Sequence, residues 1–253
     1  MKATDTNITN TILAAKQSFG LGPGSTLLNA GNAKTIKGEK KGWRTYGMHL
    51  SPADIAGHEV CSWRSKGCTF ACLNTAGRGI MALVQEARIK KTRWLFGDPV
   101  SFLACLHREI AAAIKSAERA GLQPCIRLNL TSDIPWEAKL YGNIPSQYPG
   151  VQFYDYTAGA SRAIKSLKGK AWPSNYHLTF SRKEDNEAQV AKVMAAGGNV
   201  AAVFRDSLPA RWRNVPVVNG DESDLRFLDR PHSIVGLKEK GLAKQDETGF
   251  VIG

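Results

Sequence analysis

Long apolar runs are missing from this sequence. No stretch reaches the roughly 18 apolar residues that a membrane-spanning helix needs, so none is expected. Residues 1–17 lack a basic region followed by an apolar core, so no secretory leader is expected either. Cysteine is scarce and odd in number, five in 253 residues, which argues against a disulfide framework. These absences point to a reducing cytoplasm, where thiols stay free or bind metal. Internal repeats and low-complexity linkers are also missing. The stretch Gly20-Leu-Gly-Pro-Gly-Ser25 lacks the Gly-Lys-Ser/Thr ending of a phosphate loop and reads as a flexible turn.

Acidic residues are in short supply. Asp plus Glu number 22 against 34 Lys plus Arg, a net charge of +12. That balance favours an anionic partner, either nucleic acid or a phosphorylated metabolite. No nucleic-acid recognition motif accompanies it. The densest basic runs are short: Lys37, Lys40 and Lys41 beside glycine, and Arg88, Lys90, Lys91 and Arg93 on an expected helix.

What is present is strand–helix alternation. Residues 1–41 are expected to be an irregular, Gly-rich segment packed on a single α/β domain spanning 42–253. Strands are expected at 45–50, 125–131, 151–157, 176–182, 200–204, 215–218 and 233–237. Helices are expected at 79–96, 135–141, 161–167 and 184–196. A stronger helix opens at Asp98-Pro99, with an N-cap side chain and Pro at the first helical position. Its stripe is Phe102, Leu106, Ile110, Ala113 and Ala117, and it ends at Gly121. Such alternation implies right-handed βαβ units and a parallel sheet. The expected fold is a (β/α) barrel, partial or TIM-like, with a doubly wound open sheet as the alternative.

Two strands carry unequal faces. Ile126, Leu128 and Leu130 oppose Cys125, Arg127, Asn129 and Thr131. Tyr176, Leu178 and Phe180 oppose His177, Thr179 and Ser181. The apolar face suits outer helices and the polar face suits a lumen, where polar groups need partners or a ligand.

The densest chemistry is Cys61-Ser-Trp-Arg-Ser-Lys-Gly-Cys68-Thr-Phe-Ala-Cys72, three thiols in twelve residues. Thiolates are soft ligands that suit iron–sulfur clusters or zinc. Three ligands leave one iron of a 4Fe-4S cluster open. Zinc would need a fourth ligand, and His58 is the candidate for a Cys3His site. Gly67 and small neighbours allow backbone N–H groups to approach sulfur, which favours the cluster. Cys105, beside an apolar helix stripe, and Cys125, opening a strand, read as core cysteines.

In parallel α/β folds the site gathers at the C-terminal ends of strands. There the chain places the cysteine loop, Asp133, Asp155, Arg182, Arg205, Asp221 and Lys238. Asp133, Asp155 and Lys238 are candidate acids, bases or positioning groups. Arg127, Asn129, Ser132, Tyr156, His177, Ser181, Arg182 and Asp221 are candidate ligand-binding groups. Asp133 is also a good helix N-cap candidate.

Several ordered motifs resemble one family. Asn32-Ala-Lys-Thr35-Ile-Lys-Gly38, the segment from Cys61 to Arg78, Arg127-Leu-Asn-Leu-Thr-Ser-Asp133, Phe153-Tyr-Asp-Tyr-Thr157 and Gly236-Leu-Lys-Glu-Lys-Gly241 resemble the phage gene product 88 family over about residues 30–252. The resemblance implies a phage or prophage origin and action in the bacterial host cytoplasm. It brings little mechanism. A looser likeness links the cysteine loop to radical S-adenosylmethionine enzymes, which hold a cluster after the first strand of a partial barrel. Their cysteine intervals are three and two residues; here they are six and three. S-adenosylmethionine is the cofactor that analogy implies, and no glycine-rich motif follows the second expected strand.

Overall fold

The computed structural model describes residues 2–31, 35–169 and 171–253. Asn32, Ala33 and Lys34 of the first family-like motif lie outside the described residues. The chain begins with helix α1 (Lys2–Ser18), followed by the short strand β1 (Leu28–Asn29) and strand β2 (Trp43–Met48). The cysteine segment holds one short helix, α2 (Lys66–Phe70). Two long helices follow, α3 (Ala82–Gly97) and α4 (Pro99–Arg119). Then come β3 (Gln123–Arg127), β4 (Gln152–Thr157), α5 (Ala160–Lys168), β5 (Tyr176–Ser181), α6 (Glu187–Ala195) and β6 (Val200–Phe204). The chain closes with β7 (Arg211–Trp212), β8 (Val215–Asn219), β9 (Ile234–Lys238) and β10 (Val251–Ile252).

The strands form one mostly parallel sheet in the order β1-β2-β3-β4-β5-β6-β9-β8-β7. Strands β2, β3, β4, β5, β6, β9 and β8 run parallel; β1 and β7 pair antiparallel at the two edges. The sheet is not closed, so of the expected partial or TIM-like barrel the closed, TIM-like form does not hold. Closure would need the last strands to pair with β2. Instead β9 inserts between β6 and β8, and β8 is drawn into a hairpin with β7 at the far edge. Arg213 and Asn214 turn that hairpin with φ of 50° and 62°, the conformation a two-residue primed turn requires. Strand β10 pairs with Val203 and Phe204 of β6. Strand β9 already lines one edge of β6 from Val200 to Phe204, so β10 lies on the edge that β5 leaves after Ser181.

The N-terminal expectation also needs correction: residues 2–18 are helical. Ile12 and Ala15 of α1 are buried in the main core beside residues of α4. The polar residues of α1 outnumber its apolar ones, so its periodic signal is faint in the sequence. Asp98 caps α4 as expected, its Oδ1 accepting from Ser101 N–H at 3.1 Å. The stripe from Phe102 to Ala117 is buried. The expected helix at 135–141 is only a 3₁₀ turn at Lys139–Tyr141.

Both sheet faces follow the sequence alternation. Met48, Ile126, Phe153, Tyr176 and Leu178 share a core with α4 residues. Phe180, Val200, Ala202 and Ile234 share one with Ala163 of α5 and Val190 and Val193 of α6. The opposite face carries Thr45, Cys125, Arg127, Tyr154, Tyr156, His177 and Thr179, in register across β2 to β5. Leu225 and Phe227 pack there against Cys125 and Tyr154. Among the described residues no helix is long and apolar enough to cross a membrane.

Candidate functional site

The three cysteines lie in the connection between β2 and α3, beyond the C-terminal end of β2. All three are half-buried and free. Cys61 Sγ accepts from the Ala53 N–H at 3.4 Å and approaches the Thr131 carbonyl at 3.9 Å. Cys68 sits in α2, capped by Ser65, whose Oγ accepts from the Cys68 N–H at 3.1 Å. Cys72 Sγ accepts from the Asn74 N–H at 3.5 Å. Burial pushes the Cys61 thiol up to about 12, and negative charge on Cys72 or Cys68 would push it further. Cys68 is pushed up to about 11, first by burial and then by Cys72. Burial likewise raises Cys72. The three sulfurs are thus near enough to oppose one another's ionisation.

Glu184, just after β5, fixes this loop. Its carboxylate accepts from Ser65 Oγ at 2.8 Å and from the Gly67 N–H at 2.8 Å. Gly67 has no room for a side chain: a Cβ would lie 2.3 Å from Thr248 Oγ1 and 2.7 Å from both Glu184 Oε2 and Phe250 Cβ. The cysteine helix is therefore pressed between β5's exit loop and the C-terminal segment. Arg182 donates to the carbonyls of Gly249 and Phe250, and Arg205 to those of Lys244 and Asp246. These arginines hold backbone.

A group of cations lines the same end of the sheet. Arg88 of α3 is 7% exposed, donates to Asn74 Oδ1, and has an Nε with no partner. Its electrostatic partner is Cys72. Arg127 is 7% exposed, pairs with Asp224 at 3.0 Å, lies over the Tyr156 ring at 4.6 Å, and also has an unpartnered Nε. His49 is lowered to about 3, first by burial and then by Arg88, Arg127 and Lys91. Its buried Nδ1 and the buried Tyr156 hydroxyl have no hydrogen-bond partner.

The candidate carboxylates are engaged. Asp133 faces Arg162 at 2.6 Å and accepts from Thr157 Oγ1 at 3.1 Å and the Ala158 N–H at 2.8 Å. Burial nevertheless raises its pKa. Asp133 caps no helix; it joins the exit loop of β3 to that of β4. Asp155 accepts from the Asn129 N–H at 2.8 Å and Tyr176 Oη at 3.0 Å, and burial pushes it up to about 7. Asn129 Oδ1 accepts from Ser132 Oγ, the Ile134 N–H and Trp136 Nε1. His177 is lowered to about 4 by burial and by Arg226. Ser181 is half-buried. Lys238 is exposed, and its N–H donates to Asp221 Oδ2 at 3.0 Å; Asp221 pairs with Lys240 at 2.6 Å. Lys238 and Asp221 belong to the β8–β9 end of the sheet, several strands from β2. Arg127 and Tyr156 lie on the polar face with the cation group.

Cys105 and Cys125 are buried as the sequence suggests, donating to or sharing hydrogen with Glu109 and Thr45. His58 stacks on Phe96 at 4.4 Å and is exposed. Among the described residues no three His, Cys, Asp or Glu side chains are grouped closely enough to hold a metal ion. Sequence reasoning missed Arg88, His49, Arg162 and Glu184. Arg88, Thr92 and Leu95 fall on one buried helical stripe at i, i+4 and i+7, and that spacing was the available signal for Arg88.

These elements define an open, mostly parallel α/β protein with its cysteine loop at the strand C-termini. The family model for gene product 88 matches residues 26–253, and the chain belongs to that family. No curated protein and no solved structure matches it.

Proposed function

We propose that this chain is a phage-encoded protein of the bacterial cytoplasm that binds a 4Fe-4S cluster through Cys61, Cys68 and Cys72. One iron is left open to a small molecule at the strand C-termini. The observation that carries the reading is the trio of half-buried free thiols on one connection beyond β2, two of them already accepting backbone N–H groups. The donor set fits the group. Backbone N–H groups of Ala53 and Asn74 already point at two of the sulfurs, and such bonds tune cluster potential. A buried Arg88 beside Cys72 offsets the negative charge that three thiolates bring.

When bound, the cluster supplies a redox centre and a Lewis-acidic iron. The protein's own residues fix the loop through Glu184 and the C-terminal segment, and Asp133 and Asp155 position the strand ends around it. A Cys3His zinc site fits less well. The fourth ligand it needs, His58, is exposed and stacked on Phe96.

Anaerobic purification with iron and sulfide analysis and a visible spectrum tests the reading. Cys61→Ser, Cys68→Ser and Cys72→Ser should each lose the chromophore, while Cys105→Ser and Cys125→Ser should keep it. A colourless protein with stoichiometric zinc would overturn the proposal. The charge of +12 favours a second reading, a nucleic-acid or host-protein binding module whose cluster is structural or redox-sensing. Steeply salt-dependent DNA or RNA binding would support it.

A further inference from the structure

We propose that the polar sheet face beneath the cysteine loop is a binding site for a small ligand carrying a carboxylate or phosphate, gripped by Arg88 and Arg127 and flanked by His49 and Tyr156. The proposal deepens the small-molecule part of the functional reading and stands on separate observations.

Register brings these groups together. Gly47 of β2 pairs with Arg127 of β3, so His49, two residues on, follows on the same polar face. Tyr156 of β4 shares that face and lies under the Arg127 guanidinium. Arg88 reaches the group from α3, held by Asn74 of the cysteine segment. Thr92, one turn after Arg88, accepts from the Ser51 N–H at 2.8 Å and donates to the Arg88 carbonyl, which ties Arg88's turn of α3 to the chain just after His49.

The cluster is short of acceptors. Buried polar atoms are almost always paired, and each exception calls for an explanation. Here four buried atoms from four separate elements are exceptions together: Arg88 Nε, His49 Nδ1, Arg127 Nε and Tyr156 Oη. Two of them belong to guanidiniums more than nine-tenths buried. Arg127 has Asp224 for its Nη1 and Asp155 4.0 Å from its Nε, whereas Arg88 has only an uncharged amide oxygen. A planar or tetrahedral oxyanion presents several acceptor oxygens in a small volume, and guanidinium groups match that geometry. An uncharged ligand would leave Arg88 without a matching charge. The position, between strand C-termini and the cysteine loop, is where such a ligand would also reach an open iron.

Inorganic phosphate and malonate serve as probes for the two oxyanion classes. Thermal melts in each are compared with chloride at equal ionic strength. The proteins are wild type, Arg88→Gln, Arg127→Gln and the cluster-blocking Cys68→Ser. At about ten times its dissociation constant a specific probe should raise the melting temperature by about 3–6 °C. The rise should appear in wild type and Cys68→Ser and vanish in Arg88→Gln. Phosphate alone or malonate alone acting identifies the class. No rise with either probe, or a full rise in Arg88→Gln, overturns the proposal. If Arg127→Gln does not fold, Arg88→Gln carries the test alone. Iron kept in Cys68→Ser with the rise intact would count against the cluster assignment alone, and iron lost from Cys68→Ser with no rise in wild type would count against the oxyanion site alone, so the two readings fail separately.

Discussion

Replacing Arg162 by Met is the most informative structural perturbation. Arg162 is 6% exposed, and its guanidinium holds two carboxylates that are themselves nearly buried. It donates to Glu137 through two bonds of 2.8 Å and to Asp133 at 2.6 Å. Methionine fills similar volume without charge, so the chief effect is electrostatic. Two buried carboxylates would be left facing each other. Breaking a buried pair in this way costs about 3–5 kcal/mol. For a chain of this size that corresponds to a fall of about 6–20 °C in melting temperature. The cysteine loop should feel it, because the Asp133 N–H donates to the Val60 carbonyl at 2.7 Å, next to Cys61. Urea denaturation of wild type and variant measures the loss. Lys90→Ala is the control: its pair with Glu86 is exposed and one turn apart, so its loss should leave the urea midpoint close to that of wild type. Changing Asp133 and Glu137 to their amides in the Arg162→Met background should restore part of the stability. A loss under about 1 kcal/mol for Arg162→Met would refute the claim that this cluster joins the two strand exits.

Three further outcomes follow from the geometry. Gly47→Ala should destabilise by about 1–3 kcal/mol, because its Cβ would lie 2.3 Å from Leu130 Cδ1; an unchanged urea midpoint would contradict the packing. Asp155 has its folded pKa pushed up to about 7 from the usual 3.8, so the fold favours its protonated form. Its contribution is therefore present below about pH 4 and is lost as pH rises toward 7, and Asp155→Asn should flatten stability over that window in pH-dependent melts. Cys61 and Cys68 thiols, raised to about 12 and 11, are protonated at neutral pH before metal arrives. On the proposed cluster reading, assembly would release those protons, so occupancy at fixed iron should be higher at pH 8.5 than at pH 6.5, and a pH-independent occupancy would count against thiolate ligation.

The sheet was legible because its strands are short, β-branched or aromatic, and separated by amphipathic helices. The seven parallel strands and α4 with its Asp98 cap all carry local signals. Two things were hidden. Whether the sheet closes depends on β9 entering between β6 and β8, a choice made by nonlocal pairing that leaves no local trace. The edge strands β1, β7 and β10 have two residues each, too few to show any period. The strand expected at 125–131 stops at Arg127 because Asn129 turns its side chain to bind the Ile134 backbone and Trp136, and the chain bends there.

At the site, the sequence could show which residue types cluster along the chain, but not which of them find partners. The three cysteines stood out because they are adjacent in sequence and rare. Asp133 and Asp155 stood out equally as strand-end carboxylates, yet folding gives one Arg162 at 2.6 Å and the other an asparagine amide, a tyrosine hydroxyl and the more distant Arg127 at 4.0 Å. Arg88 stood out least, as one charge in a basic helical run, yet folding turns it inward without a carboxylate. Partner counting is a property of the folded chain, since the groups that would satisfy Arg88 come from elements far apart in sequence. A buried cation beside a cysteine loop needs negative charge nearby, and Cys72 would supply it only as a thiolate, the form that the proposed cluster would hold. Arg88→Gln should therefore lower cluster retention on anaerobic dilution even where the fold survives, whereas Arg88→Lys, which keeps the charge and loses the fork, should retain cluster.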